Sequence, residues 1–527
     1  MVIEDQTAVI EFLGRPSTYG GAEVERIETH SAIVFLAAAR ALKLKRAVRY
    51  DYLDFSTIEL RKASCDAEVR LNRRTAPALY RGVVAVTREA DGSLALGGDG
   101  APVDWVVEMN RFSQHALFDR LAVAGTLTVD LMASLGEAIA RFHLAAERRT
   151  DHGGEAGMRW VVDGNALGFA EFGGRVLDPA ACTRAIGATR AELDRVASLL
   201  DARRTGGFVR QCHGDLHLRN IVLLDGQPRL FDGIEFNDEI SCVDVLYDLA
   251  FLLMDLWRRA LPRHANAVWN SYLRETVDLD GLAVMPLFLS CRAAVRAKTS
   301  ATAARMQGDE GRAIELQQLA REYLTMAEGL LRPPSPCLIA IGGLSGSGKS
   351  TLAQALAPSV GGVPGAVVVR SDEIRKRLCG VSPLERLGPE GYRPEISARV
   401  YAALAERAGR AIAGGHSAIV DAVYAQPQER MAIESVAAAA GVRFDGLWLD
   451  APDSALIERV ERRRLDPSDA DASIVRLQRA ADVGAVGWYR LDASRSPGAV
   501  LETAAMHVLG ERNVSMRLRP ASRSLPR

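Results

Sequence analysis

The stretch CLIAIGGLSGSGKSTLAQALA, residues 337–357, constrains the fold more than any other part of the chain. It starts as a β-branched apolar run, passes through a glycine-rich turn and ends with the apolar spacing of a helix, so it predicts strand, loop and helix in succession. Gly343, Gly348, Lys349 and Ser350 fill the spacing GxxxxGK[ST]. Glycines let backbone N–H groups curl round a phosphate, and the helix start adds the positive end of its dipole. Lys349 can reach the β and γ phosphates, and the Ser350 hydroxyl can ligate magnesium. The expected ATP cradle is Gly343, Ser345, Gly346, Ser347, Gly348, Lys349, Ser350 and Thr351.

A strand feeding such a loop implies a parallel sheet. The β-rich runs AVVVRSD (366–372), SAIVDAV (417–423) and GLWLDAP (446–452) are separated by helical segments, which is the alternation of parallel strands with crossover helices. Upstream, LRPPSPC (331–337) cannot continue a helix, because adjacent prolines lack donors and push their predecessors toward extended geometry. The chain is therefore cut at 332–333, giving an N-terminal domain over 1–332 and a second over 333–512. Residues 513–527 read as a basic disordered tail.

Within 1–332 a small lobe is expected over about 20–112 and a helical large lobe over 113–332. SAIVFLA (31–37) and ALKLKRAV (41–48) read as strands, and 56–74 has helical spacing. YRGVVAVTR and VDWVVEMNRF are further strands round the turn DGSLALGGDG. The polar stretch CHGDLHLRNIVLL (212–224) then places Asp215 and Asn220 five apart at the entrance to a strand. Asp232, in LFDGIEF, follows a strand–turn–strand sequence.

Phosphoryl transfer to a hydroxyl needs a carboxylate to orient the hydroxyl and take its proton, and oxygen ligands for magnesium on the nucleotide phosphates. His213, Asp215 and Asn220 resemble the protein-kinase pattern HRDxxxxN in spacing, and that resemblance implies the first task for Asp215 and the second for Asn220 and for Asp232 a hairpin later. The same plan asks for a lysine on the third strand and a glutamate on the following helix. Lys43, with Lys45 on the same strand face, and Glu68, or else Glu59, are the candidates. His213 is expected to be a buried spine residue and Asp248 to tie the catalytic loop to its helix, while His217 is left open.

Composition narrows the field. Of the 65 Lys and Arg residues only six are lysine, and three of these, Lys43, Lys45 and Lys349, fall at the positions just named. A formal net charge of -1 suggests neither nucleic acid nor an anionic membrane as partner. The first residues lack a basic leader and a long apolar core, and no apolar run approaches about 18 residues, so a cytoplasmic protein is expected. Seven cysteines without a CxxC pair read as buried thiols.

Residues from about 25 to 331 resemble the aminoglycoside phosphotransferase-like kinases through HGDxHxxN, FDxIEF and DVLYDLAFLL with Asp248. The resemblance implies a bilobal protein-kinase-like fold using ATP and Mg2+. It departs from the wider kinase plan in lacking GxGxxG before the lysine strand, so THSA (29–32) would have to cover the phosphates. Residues from about 335 to 512 resemble the AAA-type P-loop kinases of the gluconate and polynucleotide kinase group. The matching elements are Ser371 and Asp372 in VVVRSDEIRKRL, Asp421 in AIVDAVY, and Arg459, Arg462 and Arg463 in SALIERVERRRLDPSDA. That likeness implies Asp372 as the catalytic base at the acceptor hydroxyl, Asp421 supporting magnesium, and Arg459 and Arg463 on a lid over ATP. Arg375, one turn into the helix after Asp372, is expected to hold the acceptor.

The whole chain resembles bacterial fusions of these two domain types. Its expected class is mixed α/β and α+β, and its expected activity is ATP- and magnesium-dependent phosphotransfer, at two sites, to a small-molecule hydroxyl. The alternative is an ATP-binding regulatory protein whose P-loop half is a slow switch.

Overall fold

The computed structural model describes residues 4–50, 52–462 and 467–510. Arg463 and the 513–527 tail lie outside the described residues. Two compact units emerge: one takes the chain to Asp163 and returns for Ala197–Asp255, and the other takes Gly164–Val196 and everything from Leu256. Among the described residues no helix is long and apolar enough to cross a membrane.

The first unit contains an antiparallel sheet of β1 (Val24–Glu28), β2 (Ala32–Ala37), β3 (Arg40–Lys45), β4 (Tyr80–Arg88), β5 (Leu94–Leu96) and β6 (Ala101–Asn110), in the order β1-β2-β3-β6-β4-β5. Alternation along β3 sends Leu42 and Leu44 to one face, where they pack with Val9 and Leu13 of helix α1 (Thr7–Gly14). Ala41 goes to the other face and packs with Cys65 and Val69 of α2 (Ile58–Asn72). Each large aliphatic side chain taken from water here contributes about 1.5–3 kcal/mol. The same alternation puts Lys43 and Lys45 on the α2 side. Two strands escape the sequence pattern. β1 has four exposed residues of five, so its apolar signal is absent, and β5 is a three-residue edge inside the stretch expected to be a turn.

Also in this unit, α3 (Val129–Ala145) precedes β7 (Val209–Gln211), the hairpin β8–β9 (Ile221–Leu224, Gln227–Leu230) and β10 (Cys242–Asp244), which pairs with β7. Helix α4 (Val245–Arg258) follows.

In the second unit, helix α5 (Pro262–Thr276) and the helices Met285–Met306 and Glu310–Leu330 precede a five-stranded parallel sheet. Its strands are β11 (Cys337–Gly343), β12 (Val367–Arg370), β13 (Ala418–Asp421), β14 (Arg443–Asp450) and β15 (Tyr489–Asp492), ordered β12-β13-β11-β14-β15. All seven residues of β11 are buried, which explains its unbroken apolar sequence: helices cover both faces of such a sheet. β15 was not foreseen, since YRLD is largely exposed at the sheet edge.

The other edge is closed by side chains. Asn266 Nδ2 donates to the carbonyls of Pro364 and Ala366 at 3.1 Å, and the Val368 N–H donates to Asn270 Oδ1 at 2.7 Å. Capping an edge strand this way removes a template for unwanted pairing. It also binds α5 to the sheet, so compact packing follows a different line from the sequence boundary at 332–333.

Candidate active sites

In the first unit, helix α2 carries Glu68 beneath β3. Lys43 Nζ lies 2.9 Å from Glu68 Oε1 and 2.5 Å from Asp232 Oδ1. Lys45 Nζ lies 2.6 Å from Glu68 Oε2 and also pairs with Glu235, which accepts a hydrogen bond from the Ser64 hydroxyl. The result is a ladder of alternating charge, Asp232, Lys43, Glu68, Lys45, Glu235. Glu68 is fully buried, which by itself would raise its pKa, but the two ammonium groups hold the carboxyl down to about 2. The same carboxylates raise Lys43 well above its ordinary value despite burial. Glu59 is exposed and takes no part in the ladder.

Asp232 sits at φ 60, a left-handed conformation that costs a non-glycine residue free energy. Its N–H donates to Tyr80 Oη at 3.0 Å, and the next N–H, of Gly233, donates to Asn72 Oδ1 at 2.7 Å. Residues of β4 and α2 therefore impose the turn.

Asp215 is held from two sides. Asn220 Nδ2 donates to its carboxylate at 3.0 Å and to its carbonyl at 2.9 Å. His217 Nδ1 accepts the Arg219 N–H, which leaves the proton on Nε2, 3.3 Å from Asp215 Oδ2. His217 thus positions the carboxylate. His213 is buried and is kept neutral by that burial, its Nε2 on the Phe231 carbonyl at 2.9 Å. Asp248, wholly buried on α4, accepts the N–H groups of His213 and Gly214 at 3.1 and 2.8 Å and meets His143 of α3 at 3.1 Å. Thr29–Ser31 form the turn between β1 and β2, where the Ala32 N–H donates to the Thr29 hydroxyl at 2.9 Å.

In the second unit the glycine-rich loop joins β11 to α6 (Lys349–Leu356). At Gly343, with φ 137, a Cβ would stand 2.5 Å from the Leu449 carbonyl oxygen. At Gly346, with φ 84, it would stand 2.5 Å from the Leu456 carbonyl oxygen, so both positions require glycine. Lys349 Nζ rests on the Leu344 carbonyl at 3.0 Å, and the Ser345 N–H donates to Gln478 Oε1. Ser350 Oγ donates to Asp421 Oδ2 at 2.5 Å and accepts from Arg370 Nη2 at 3.0 Å.

Asp372 opens helix α7 (Ser371–Leu378). Burial, and then the neighbouring Asp421 charge, raise its pKa, against the pull of Arg370 and Lys349. The Arg375 guanidinium donates to the Gly391 carbonyl at 2.7 Å and Ser397 Oγ at 3.2 Å, under the Tyr392 ring. Arg459 donates to the Ala493 carbonyl at 2.8 Å, and exposed Arg462 pairs with Glu458.

Both oxygen sets fit magnesium and phosphate. Asn220 and Asp232 in one unit, and Ser350 and Asp421 in the other, offer hard oxygen donors of the kind magnesium prefers. Ser347 Oγ, buried in the loop, has no hydrogen-bond partner among the described residues.

Two stretches of the chain match known protein families. Residues 62–285 match the model of the phosphotransferase enzyme family, and residues 338–482 match that of an AAA domain. The chain is thus similar to a phosphotransferase family over one stretch and to an AAA domain over another. A protein of Mycobacterium tuberculosis described as uncharacterized is 29% identical over 476 residues, covering 89% of this chain and 92% of its own. Among solved structures, an ethanolamine kinase of Plasmodium vivax covers 62% of this chain and 90% of its own at 12% identity, with a TM-score of 0.36. A gluconokinase of Sinorhizobium meliloti covers 35% of this chain and 98% of its own at 21% identity, with a TM-score of 0.24.

Several residues of these two domains were not visible in the sequence as site members. In the first unit Glu235 was missed, because its place three residues after Asp232 does not show that folding brings it to Lys45. Tyr80 and Asn72 carried no signal. In the P-loop domain Arg370 and Gln478 were missed, as was Lys376, whose ammonium meets Asp469 at 2.6 and 2.7 Å.

Proposed function

We propose that the chain is an ATP- and magnesium-dependent phosphotransferase with two sites, each moving a γ-phosphate to a hydroxyl of a small molecule. The reading is carried by the first site, where Lys43 pairs with both Glu68 and an aspartate 189 residues later in the chain, while Asn220 and His217 hold Asp215. Lys43 would neutralise phosphate oxygens. Asn220 and Asp232 would hold magnesium, which supplies charge neutralisation on the nucleotide when bound. Asp215 takes the proton of the attacking hydroxyl as its oxygen bonds to phosphorus and the bond to the ADP oxygen breaks. In the P-loop domain Asp372 has the same task, Lys349 the phosphates, and Ser350 with Asp421 the metal. A cytoplasmic setting is part of the proposal and is in keeping with seven free thiols.

The test is ADP release by the full chain against sugars, polyols, nucleosides and aminoglycosides. For an acceptor of the first site, Asp215→Asn should lower turnover by about 10²–10⁴-fold and leave nucleotide binding nearly intact. Titration with a non-hydrolysable ATP analogue should find two sites, reduced to one by Lys349→Ala. Acceptor-dependent turnover untouched by both Asp215→Asn and Asp372→Ala would refute the assignment.

A further inference from the structure

The second unit contains a cavity of about 300 Å³ to which the phosphate loop contributes no wall. Its apolar lining includes Leu279, beyond the end of α5, Val367 and Val369 on β12, Ile374 on α7, and Val381 just after it. Positive charge enters from Lys376 and four arginines, Arg274, Arg370, Arg377 and Arg407, the last on helix α8 (Pro394–Ala413).

Two acids also line the space, but cations already engage them. Glu373 pairs with Arg370 at 3.3 Å and Arg274 at 3.6 Å, and Glu275 pairs with Arg274 at 3.8 Å. Lys376 is held by Asp469. Arg377 donates to the Arg274 carbonyl and, among the described residues, meets no carboxylate within ion-pair distance. Arg407 has neither a hydrogen bond nor an ion pair among the described residues. Burial, and with it the like charge of Arg377, pulls its guanidinium below its ordinary value. A half-buried guanidinium facing another cation across an apolar space is costly unless an anion joins it.

We propose that this cavity is a ligand site for a small organic anion, its carboxylate or phosphate head between Arg407 and Arg377 and its aliphatic body on the valine and leucine walls. The volume equals that of about ten waters at ~30 Å³ each, enough for a short alkyl chain. The cavity adjoins the phosphate-loop site through Arg370, which donates to Ser350 Oγ, but Asp372 does not line it. It stands whether or not the kinase reading does.

The test is calorimetric titration of the full chain with octanoate and, separately, hexyl phosphate. A non-hydrolysable ATP analogue is kept saturating to fill the nucleotide sites, and octan-1-ol serves as the uncharged control. One saturable site for at least one of the anions is expected, weakened about ten-fold or more by Arg407→Ala and by Val381→Trp, which fills the space. Analogue binding measured on each variant confirms that it is folded, and Arg407→Gln provides a milder variant. Absence of saturable binding of both anions overturns the proposal. So does unchanged affinity in the Arg407 variants, or octan-1-ol binding as tightly as octanoate.

Discussion

In the proposed function the glycine-rich loop and the charge ladder are two ways of preparing a place for phosphate. The loop uses consecutive residues and fixed backbone dipoles, which neither titrate nor depend on a partner side chain. The ladder assembles Lys43, Lys45, Glu68, Asp232 and Glu235 from separate segments, each charge compensating the next. Loss of one amide from the loop leaves the others in place. Loss of one rung takes a partner from each of its neighbours, most of them buried.

Glu68 is where that contrast should break most visibly. Removing one partner of a buried ion pair costs about 3–5 kcal/mol, since the remaining charge has no water to return to. Glu68→Ala takes one of two carboxylate partners from each ammonium, leaving Asp232 to Lys43 and Glu235 to Lys45, so urea unfolding of the full chain should show a loss toward the lower end of that range, with a smaller loss for Glu68→Gln. A loss under about 1 kcal/mol would mean that the lysines find other partners and that the ladder is not a unit.

The same contrast explains what could be read from sequence. The loop was legible whole, because its ten residues need only a strand before and a helix after. Asp215, Asn220 and Asp232 were legible because hairpin geometry fixes their spacing. Lys43 and Lys45 were legible through the two-residue period of β3. Glu235 was not, because only folding brings it to Lys45. The setting of Arg375 was hidden for a related reason: its distance from Asp372 was visible, but the Gly391 carbonyl that engages it is sixteen residues away. The edge strands β1, β5 and β15 were lost because exposed edges carry little apolar pattern.

Acid should sharpen the comparison at the next level of magnitude. Glu68 titrates at about 2 in the folded chain against 4.5 ordinarily, so its stabilisation is complete above 4.5 and is lost as pH falls toward 2. The P-loop unit is sensitive at higher pH through His416, which lies just ahead of β13, with its ring 5.8 Å from Trp269. Burial lowers its pKa from 6.5 to about 4, so the unfolded chain binds the extra proton between those values. Stability from this source is complete above 6.5 and falls by up to about 3 kcal/mol as pH drops to 4. His213, lowered by burial, acts in the same direction. Urea melts at pH 7 and 4.5 should show a smaller pH-dependent loss in His416→Gln than in the parent. Equal losses would remove His416 from the account.

The smallest effect is expected inside the loop. Ser347 is 2% exposed, and its hydroxyl has no partner among the described residues, so the folded chain already bears the cost of drying it. Ser347→Ala removes a group that gives nothing back, and stability should stay within about 1 kcal/mol or rise slightly. Affinity for an ATP analogue should change by no more than a few fold, because the backbone N–H groups are untouched. Gly346→Ala is the counterpart: its added Cβ meets the Leu456 carbonyl oxygen at 2.5 Å, so the loop must shift and affinity should fall. If Ser347→Ala instead weakens the analogue by more than about ten-fold, about 1.4 kcal/mol, the hydroxyl is itself a phosphate ligand. The loop would then depend on a side chain just as the ladder does.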